Sequence, residues 1–135
     1  MKKILFAASE ALPFAASGGL GDVIGSLPAA IKQADKDCDI RVIMPLYDKV
    51  TDKTRARMEK VLETTVELGW RKQYCGLYSL VENGVTYYFI DNEFYYRRGT
   101  LYGAGDDLER FAFFCKAVVD LLPLMDFYPD YLHAH

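Results

Sequence analysis

The chain has 135 residues, of which 51% are hydrophobic and 26% are charged. This balance predicts one compact globular domain with a substantial buried core. The formal net charge of -3 provides no broad positive field, which argues against a nucleic acid or an anionic membrane surface as a partner. A small molecule or a neutral polymer suits this charge better.

The N-terminal residues and the cysteines together indicate a cytoplasmic protein. The apolar run at residues 4–8 is far too short to cross a membrane, and no signal-peptide cleavage pattern follows it. The three cysteines, Cys38, Cys75 and Cys115, are odd in number and lack the spacing of a metal or redox motif. We therefore expect free thiols in a reducing compartment.

The first 45 residues predict a strand, a helix and a second strand. The apolar run at residues 3–9 lacks polar alternation, which is typical of a strand covered on both faces. Residues 18–21 supply a glycine-rich turn. The apolar residues after it trace one predicted helix face: Val23, Leu27, Ala30 and Ile31. Pro28 predicts a kink in this helix or a later helix start. Residues 38–45 are the second predicted strand, and with a right-handed crossover they complete a Rossmann-like unit.

The middle of the chain predicts antiparallel hairpins. Residues 61–68, 74–81 and 85–90 are rich in strand-forming residues, and Asn83-Gly84 is a strong signal for a tight turn. An antiparallel edge on a mostly parallel sheet is common, so no second domain is needed to explain these strands.

The last third predicts a long helix followed by another buried strand. Asp106 and Glu109 form a variant of a capping box, and the helix should end at Pro123. One apolar stripe is expected to pack on the sheet: Leu108, Phe111, Cys115, Val118 and Leu122. Residues 131–135 look like the opening of a further strand, so we expect the chain to be truncated there.

Glu10 and the glycine turn form the first candidate site. Both follow the first strand, at the carboxyl edge where open α/β sheets bind ligands. Gly18, Gly19 and Gly21 leave the backbone open, and the amides at the start of the helix carry partial positive charge, which suits a phosphate or pyrophosphate. Spacing alone favours neither this interpretation nor a purely structural turn, because the pattern is neither G-x-G-x-x-G nor a Walker A loop.

Two further features are candidates for ligand contact. His133 and His135 share one face of a predicted strand, and without a third suitably spaced ligand we predict no metal site. Histidines at a strand end more often hydrogen-bond to neighbouring residues or line a polar cleft. An aromatic-rich section surrounds the polar loop at residues 97–103, which contains Tyr102. Aromatic faces beside hydrogen-bonding groups suit sugar rings, although such clusters more often serve core and loop packing.

Four blocks of the sequence resemble one family, the bacterial glycogen synthases and plant starch synthases. The opening residues 3–14 run into Gly-Gly-Leu-Gly-Asp-Val-Ile-Gly-Ser-Leu-Pro at residues 18–28, and Arg-Val-Ile-Met-Pro-Leu-Tyr follows at 41–47. The third block joins Leu-Tyr-Gly at 101–103 to Glu-Arg-Phe-Ala-Phe-Phe at 109–114, and the fourth is Leu-His-Ala-His at 132–135. The resemblance covers essentially the whole chain.

The resemblance implies a retaining glucosyltransferase with two Rossmann-like domains. Such enzymes transfer glucose from a nucleotide sugar to the non-reducing end of an α-1,4-glucan, with no cofactor. We therefore expect residues 1–135 to be an incomplete N-terminal Rossmann-like domain, inactive alone because the C-terminal nucleotide-binding domain and most catalytic groups lie elsewhere. ADP-glucose is the expected donor, with UDP-glucose left open by these residues.

Position by position, the resemblance gives this set of donor-binding and cleft residues: Glu10, Ser17, Gly18, Gly19, Leu20, Gly21, Tyr102, His133 and His135. One position departs from the family pattern Lys-x-Gly-Gly-Leu, because Ala16 stands where the lysine should be. A lysine there would place a point charge beside the donor phosphates, so the resemblance does not extend to direct charge neutralisation by this loop.

Two alternatives remain open from the sequence. The chain can be a free-standing nucleotide- or phosphate-binding module that uses the same glycine turn, or a non-catalytic fragment that binds glucan.

Overall fold

A computed structural model describes residues 1–135 as a six-stranded sheet with four helices. The strands are β1 (Lys3–Ala7), β2 (Asp39–Pro45), β3 (Glu59–Leu68), β4 (Arg71–Glu82), β5 (Val85–Asp91) and β6 (Tyr131–Ala134). The helices are α1 (Gly19–Ala34), α2 (Asp52–Arg55), α3 (Glu93–Tyr96) and α4 (Asp107–Leu124).

The sheet is mostly parallel, as the sequence predicts. Its order is β3-β4-β5-β2-β1-β6, in which β5, β2, β1 and β6 run parallel and the β3–β4 hairpin adds an antiparallel edge. The connection through α1 and the connection through α4 run in opposite directions along the sheet. Right-handed crossovers therefore place these two helices on opposite faces.

The hairpin between β4 and β5 turns at Asn83-Gly84. Both residues have positive φ, 53° and 76°, as a two-residue turn of the I′ type requires. The turn sets the register in which Glu82 pairs with Val85, and it confirms the predicted hairpin.

The core lies on both faces of the central strands. Ile43 and Met44 of β2 are fully buried, as are Leu5 of β1 and Phe89 of β5. Each such side chain contributes about 1.5–3 kcal/mol through burial. The unbroken apolar runs of these strands follow from this cover on both faces.

The predicted buried face of α1 is right at Leu27 and Ile31, which pack against the core, and wrong at Val23 and Ala30. The helix buries Gly21, Ile24 and Pro28, whereas Val23 is 45% exposed and Ala30 is also exposed. A Cβ added to Gly21 would lie 2.3 Å from the Cβ of Ala16, so the helix face that carries this glycine turns toward the preceding loop. The helix also continues through Pro28, so the predicted later start is wrong.

The predicted stripe of α4 is wrong at Leu108 and Cys115, whereas Phe111, Val118 and Leu122 pack against the core. Leu108 is 88% exposed and Cys115 is exposed, and only Val118 of that stripe is fully covered. The residues that α4 buries are Arg110, Phe113, Phe114, Ala117, Val118 and Leu121. The stripe was partly misplaced because a charged residue, Arg110, lies within the true buried face.

The ends of α4 also differ from the prediction. The Asp106 side chain makes no capping hydrogen bond and instead pairs with Arg98 at 2.7 Å. The helix continues past Pro123 to Leu124. Neither α4 nor any other helix here combines the length and apolar character that a bilayer span requires.

Candidate functional site

The glycine turn lies at the carboxyl end of β1 and leads directly into α1. Glu10 is only 2% exposed, and its carboxylate holds this turn through hydrogen bonds. One of its carboxylate oxygens accepts from the Ser17 amide at 2.8 Å and the Ser17 hydroxyl at 3.0 Å, and the other accepts from the Gly21 amide at 3.1 Å. The carboxylate therefore fixes both ends of the turn and is itself fully engaged.

Gly18 and Gly19 form the open part of the turn. Both are exposed, and a Cβ built on either meets no atom within 4 Å. The amides of Gly18, Gly19 and Leu20 have no acceptor in the chain, whereas the Gly21 amide also donates to the Gly18 carbonyl at 3.1 Å. Three free amides at the start of a 16-residue helix can hold an anionic oxygen.

The charge balance at this helix start weakens that attraction. The Glu10 carboxylate already lies against the first turn of α1, and Asp22 adds a second acidic group there. Ala16 contributes a methyl group against Gly21 in place of a cation. An anion bound here is therefore held by amide hydrogen bonds and the helix dipole, a contribution of about 0.3–1 kcal/mol from the dipole.

Tyr102 reaches the same sheet edge from the loop before α4. Its hydroxyl lies 2.7 Å from the Ser9 hydroxyl, and the ring is 38% exposed. Burial raises the pKa of the Tyr102 hydroxyl, and the negative charge of Glu10 acts in the same direction. The group therefore stays protonated at neutral pH and can donate or accept a hydrogen bond.

His133 and His135 form a pair on the other side of β1. Their ring centroids lie 4.2 Å apart, and both rings contact Phe6, at 5.1 and 6.2 Å. Burial and the charge of His133 lower the pKa of His135, which keeps its imidazole neutral at pH 7. No cluster of three His, Cys, Asp or Glu side chains is arranged to hold a metal ion.

A mostly apolar groove of about 480 Å³ runs between α4 and β6. Phe114 and Val118 of α4 face Leu132 and Ala134 of β6 across it. Its polar lining residues are Ser9, Tyr102, Asp107 and His135. The groove therefore extends from the loop that contains Tyr102 to the end of β6.

The predicted site residues form two groups at one edge of the sheet. Glu10, Ser17 and Gly21 are joined by hydrogen bonds, and Tyr102 reaches the residue before Glu10. The two histidines form a separate pair, with no direct hydrogen bond to the glycine turn.

Sequence reasoning missed three residues at this edge. They are Ser9, Tyr47 and the buried Arg110. The Ser9 hydroxyl contacts the Tyr102 hydroxyl, and the Tyr47 hydroxyl donates to the Ser9 carbonyl at 2.7 Å. Burial raises the pKa of Tyr47 above its ordinary value. Tyr47 and Arg110 lie within family-like blocks, but no local pattern distinguishes them from surface residues.

Comparison with known proteins identifies the family. The family model described as the starch synthase catalytic domain matches residues 3–135. This chain belongs to that family. The membership agrees with the blocks recognised in the sequence, and it accounts for a glycine turn at a sheet edge that follows neither of the common nucleotide-binding patterns.

Curated relatives carry the name glycogen synthase. The chain is 48% identical to that of Anoxybacillus flavithermus and 50% identical to that of Geobacillus stearothermophilus, each over 133 residues. It is 51% identical to the glycogen synthase of Streptococcus pneumoniae strain 70585. These alignments cover 98% of this chain but only 27–28% of the relatives, so the family member described here spans about a quarter of their length.

A solved structure of the same family shares the fold. The catalytic domain of starch synthase IV from Arabidopsis thaliana, bound to ADP and acarbose, superposes with a TM-score of 0.88 at 26% identity. The superposition covers 99% of this chain and 28% of that one.

Proposed function

We propose that this chain forms the N-terminal wall of the active-site cleft in a retaining glucosyltransferase of the glycogen synthase type. The reaction transfers glucose from a nucleotide sugar, ADP-glucose, to the non-reducing end of an α-1,4-glucan. The observation that carries the proposal is the exposed Gly18-Gly19 turn, with three free amides at the carboxyl end of β1. The names of the relatives, and the ADP and acarbose bound by the Arabidopsis enzyme, support it.

In this proposal the glycine turn binds the donor diphosphate. The bond from glucose to the diphosphate breaks with negative charge developing on the leaving group, and preorganised amides stabilise that charge. The free amides of Gly18, Gly19 and Leu20 take this role, while Glu10 and Ser17 keep the turn in shape. Because Ala16 provides no cation, most of the charge neutralisation comes from residues outside this chain.

The remaining site residues serve the sugar side of the cleft. Tyr102 offers a protonated hydroxyl and part of an aromatic face, a combination that binds sugar rings well. His133 and His135 present imidazole nitrogens at the neighbouring strand end, where they can hydrogen-bond to glucose hydroxyls.

We further propose that residues 1–135 are an incomplete N-terminal Rossmann-like domain. In this view a C-terminal nucleotide-binding domain supplies the nucleotide pocket and most catalytic groups, and the chain alone does not transfer glucose. All three cysteines are free thiols, which suits the reducing cytoplasm, where we place the reaction.

A chimera tests the proposal directly. This chain replaces the matching 133 residues of the Geobacillus stearothermophilus glycogen synthase, and transfer of labelled glucose from ADP-glucose to glycogen is measured. We expect activity from the chimera and none from the 135-residue chain. A folded chimera that transfers no glucose, while the parent enzyme does, contradicts the proposal.

A free-standing nucleotide- or phosphate-binding module is the alternative, and the exposed amides of the turn are the observation that favours it. Calorimetry with ADP, inorganic phosphate and an unrelated nucleotide separates the two. One wall of a cleft binds each of them only in the millimolar range or weaker, whereas a complete module binds one of them at micromolar concentration.

A further inference from the structure

Arg110 is the largest fully buried side chain of the molecule, with 0% of its surface exposed. Its Nε donates to the Tyr95 carbonyl at 2.6 Å, and its Nη1 donates to the Leu101 carbonyl at 3.0 Å and the Asp107 carboxylate at 2.9 Å. Its Nη2 has no acceptor. A buried charge with an unsatisfied donor is costly, so core stability alone does not explain an arginine at this position.

The acceptors of Arg110 surround the loop at residues 97–106, which contains neither helix nor strand. Leu101 directly precedes Tyr102. Asp107, held by Arg110, accepts from the amides of Gly103 at 2.8 Å and Ala104 at 3.1 Å. The Arg110–Asp107 pair therefore holds the backbone on both sides of Tyr102.

The Tyr102 side chain is supported by the same helix turn. Its ring centroid lies 5.7 Å from that of Phe111, and the Arg110 guanidinium lies 5.3 Å from the Phe111 ring. From this support the Tyr102 hydroxyl reaches the Ser9 hydroxyl at 2.7 Å. A second tie, the Arg98–Asp106 ion pair, holds the base of the loop but touches neither neighbour of Tyr102.

We propose that Arg110 is a positioning residue whose buried guanidinium fixes the backbone around Tyr102, so that the tyrosine hydroxyl meets Ser9 at the carboxyl end of β1. The planar guanidinium donates in several fixed directions at once, which the single ammonium of a lysine cannot reproduce. Only the role of Tyr102 toward a sugar rests on the proposed function.

Fluorine NMR of the 135-residue chain tests the positioning itself. With 3-fluorotyrosine incorporated at position 102 alone, Arg110→Met and Arg110→Lys are compared with the parent. We expect the fluorine signal of both variants to move toward that of free fluorotyrosine, and the pKa of the phenol to fall toward the free value. The matched control is Arg41→Met, since Arg41 of β2 is a partly buried arginine that hydrogen-bonds to Asp39 and Tyr88 and to no residue of the loop at 97–106.

The control should leave the fluorine signal unchanged. A folded Arg110→Met chain with the parent's fluorine shift and phenol pKa overturns the proposal. If that variant does not fold, Asp107→Ala provides the decisive measurement. Asp107 is 35% exposed and its replacement removes the acceptor that Arg110 holds, so the same shift is expected, and an unchanged signal again overturns the proposal.

A second readout uses glucose transfer by the chimera described above. If Arg110 acts through Tyr102, the Arg110→Met/Tyr102→Phe double variant loses no more activity than the more damaged single variant. Losses that multiply contradict the proposal. An inactive chimera counts against the proposed function only, because the fluorine measurement needs no activity.

Discussion

Gly21 is the point where the loop and α1 come closest together. A methyl group at this position would lie 2.3 Å from the Ala16 Cβ and 3.3 Å from the Ala16 Cα. Ala16 belongs to the loop that Glu10 holds through the Ser17 and Gly21 amides. At Gly19 the same methyl group would meet nothing within 4 Å. The two glycines therefore serve different purposes, close packing at Gly21 and an open surface at Gly19.

Alanine substitutions at Gly21 and Gly19 should have different effects on the free energy of unfolding. We expect Gly21→Ala to lower the free energy of unfolding by about 1–3 kcal/mol, because the loop must move away from the helix. Gly19→Ala should leave that free energy unchanged or slightly raised, since alanine is the better helix former. Urea denaturation of both variants measures the difference. Equal destabilisation of the two would contradict the close approach seen at Gly21.

The histidine pair predicts a pH effect of known sign. Burial, and then the charge of His133, hold the pKa of His135 below its ordinary value of 6.5. The folded chain then binds fewer protons than the unfolded chain near this pH. The contribution of His135 to stability is therefore fully present above pH 6.5 and is lost as the pH falls through 6.5 toward the lowered pKa of the folded state.

Replacing His133 tests whether its charge contributes to the lowered pKa of His135. In His133→Asn the repelling charge is gone, so we expect the pKa of His135 to rise toward the ordinary value. An NMR titration of the His135 ring protons measures it, with His135→Asn used to assign the signals. A pKa that does not change would show that burial alone is responsible.

At the scale of elements, the strands followed from local patterns whereas the helix faces did so only in part. The predicted strands at residues 38–45 and 85–90 correspond to β2 and β5 within one residue, because unbroken apolar runs and turn residues are properties of the local sequence. The buried faces of α1 and α4 depend on Gly21 approaching Ala16 and on the burial of Arg110. Neither contact has a signal in the residues next to it.

The β4–β5 hairpin depends on its turn residues. Gly84 has a φ of 76°, a conformation that costs other residues about 1–2 kcal/mol. We therefore expect Gly84→Ala to lower the free energy of unfolding by that amount. Gly105→Ala is the matched control, since Gly105 has ordinary φ and no atom within 4 Å of an added Cβ. Urea denaturation of the two compares them, and a neutral Gly84→Ala would contradict the turn assignment.

At the scale of the molecule, one side of the fold is open. All four residues of β6 are exposed, and β6 is an edge of the sheet next to the apolar groove. Exposed hydrophobic side chains line the same side, among them Leu132 at 49% and Val119 at 60%. Unpaired strand edges and apolar patches of this kind favour association between chains.

We therefore expect the 135-residue chain to self-associate as its concentration rises through the micromolar range. Sedimentation velocity measures this, and Leu132→Lys on β6 should shift the equilibrium toward monomer. Val61→Lys, a similar change on the opposite edge strand β3, is the control and should have little effect. A chain that stays monomeric at all concentrations contradicts the prediction.

Apolar runs, turn residues and ordered motifs are local features, so the residues alone predict the mostly parallel sheet with its antiparallel edge and the family. The tertiary structure decided that Glu10 closes the glycine turn, that Gly21 rather than Val23 faces inward, and that Arg110 is buried beneath the loop of Tyr102. These contacts join residues that are close in space through packing, and the energy of packing depends on every neighbour at once.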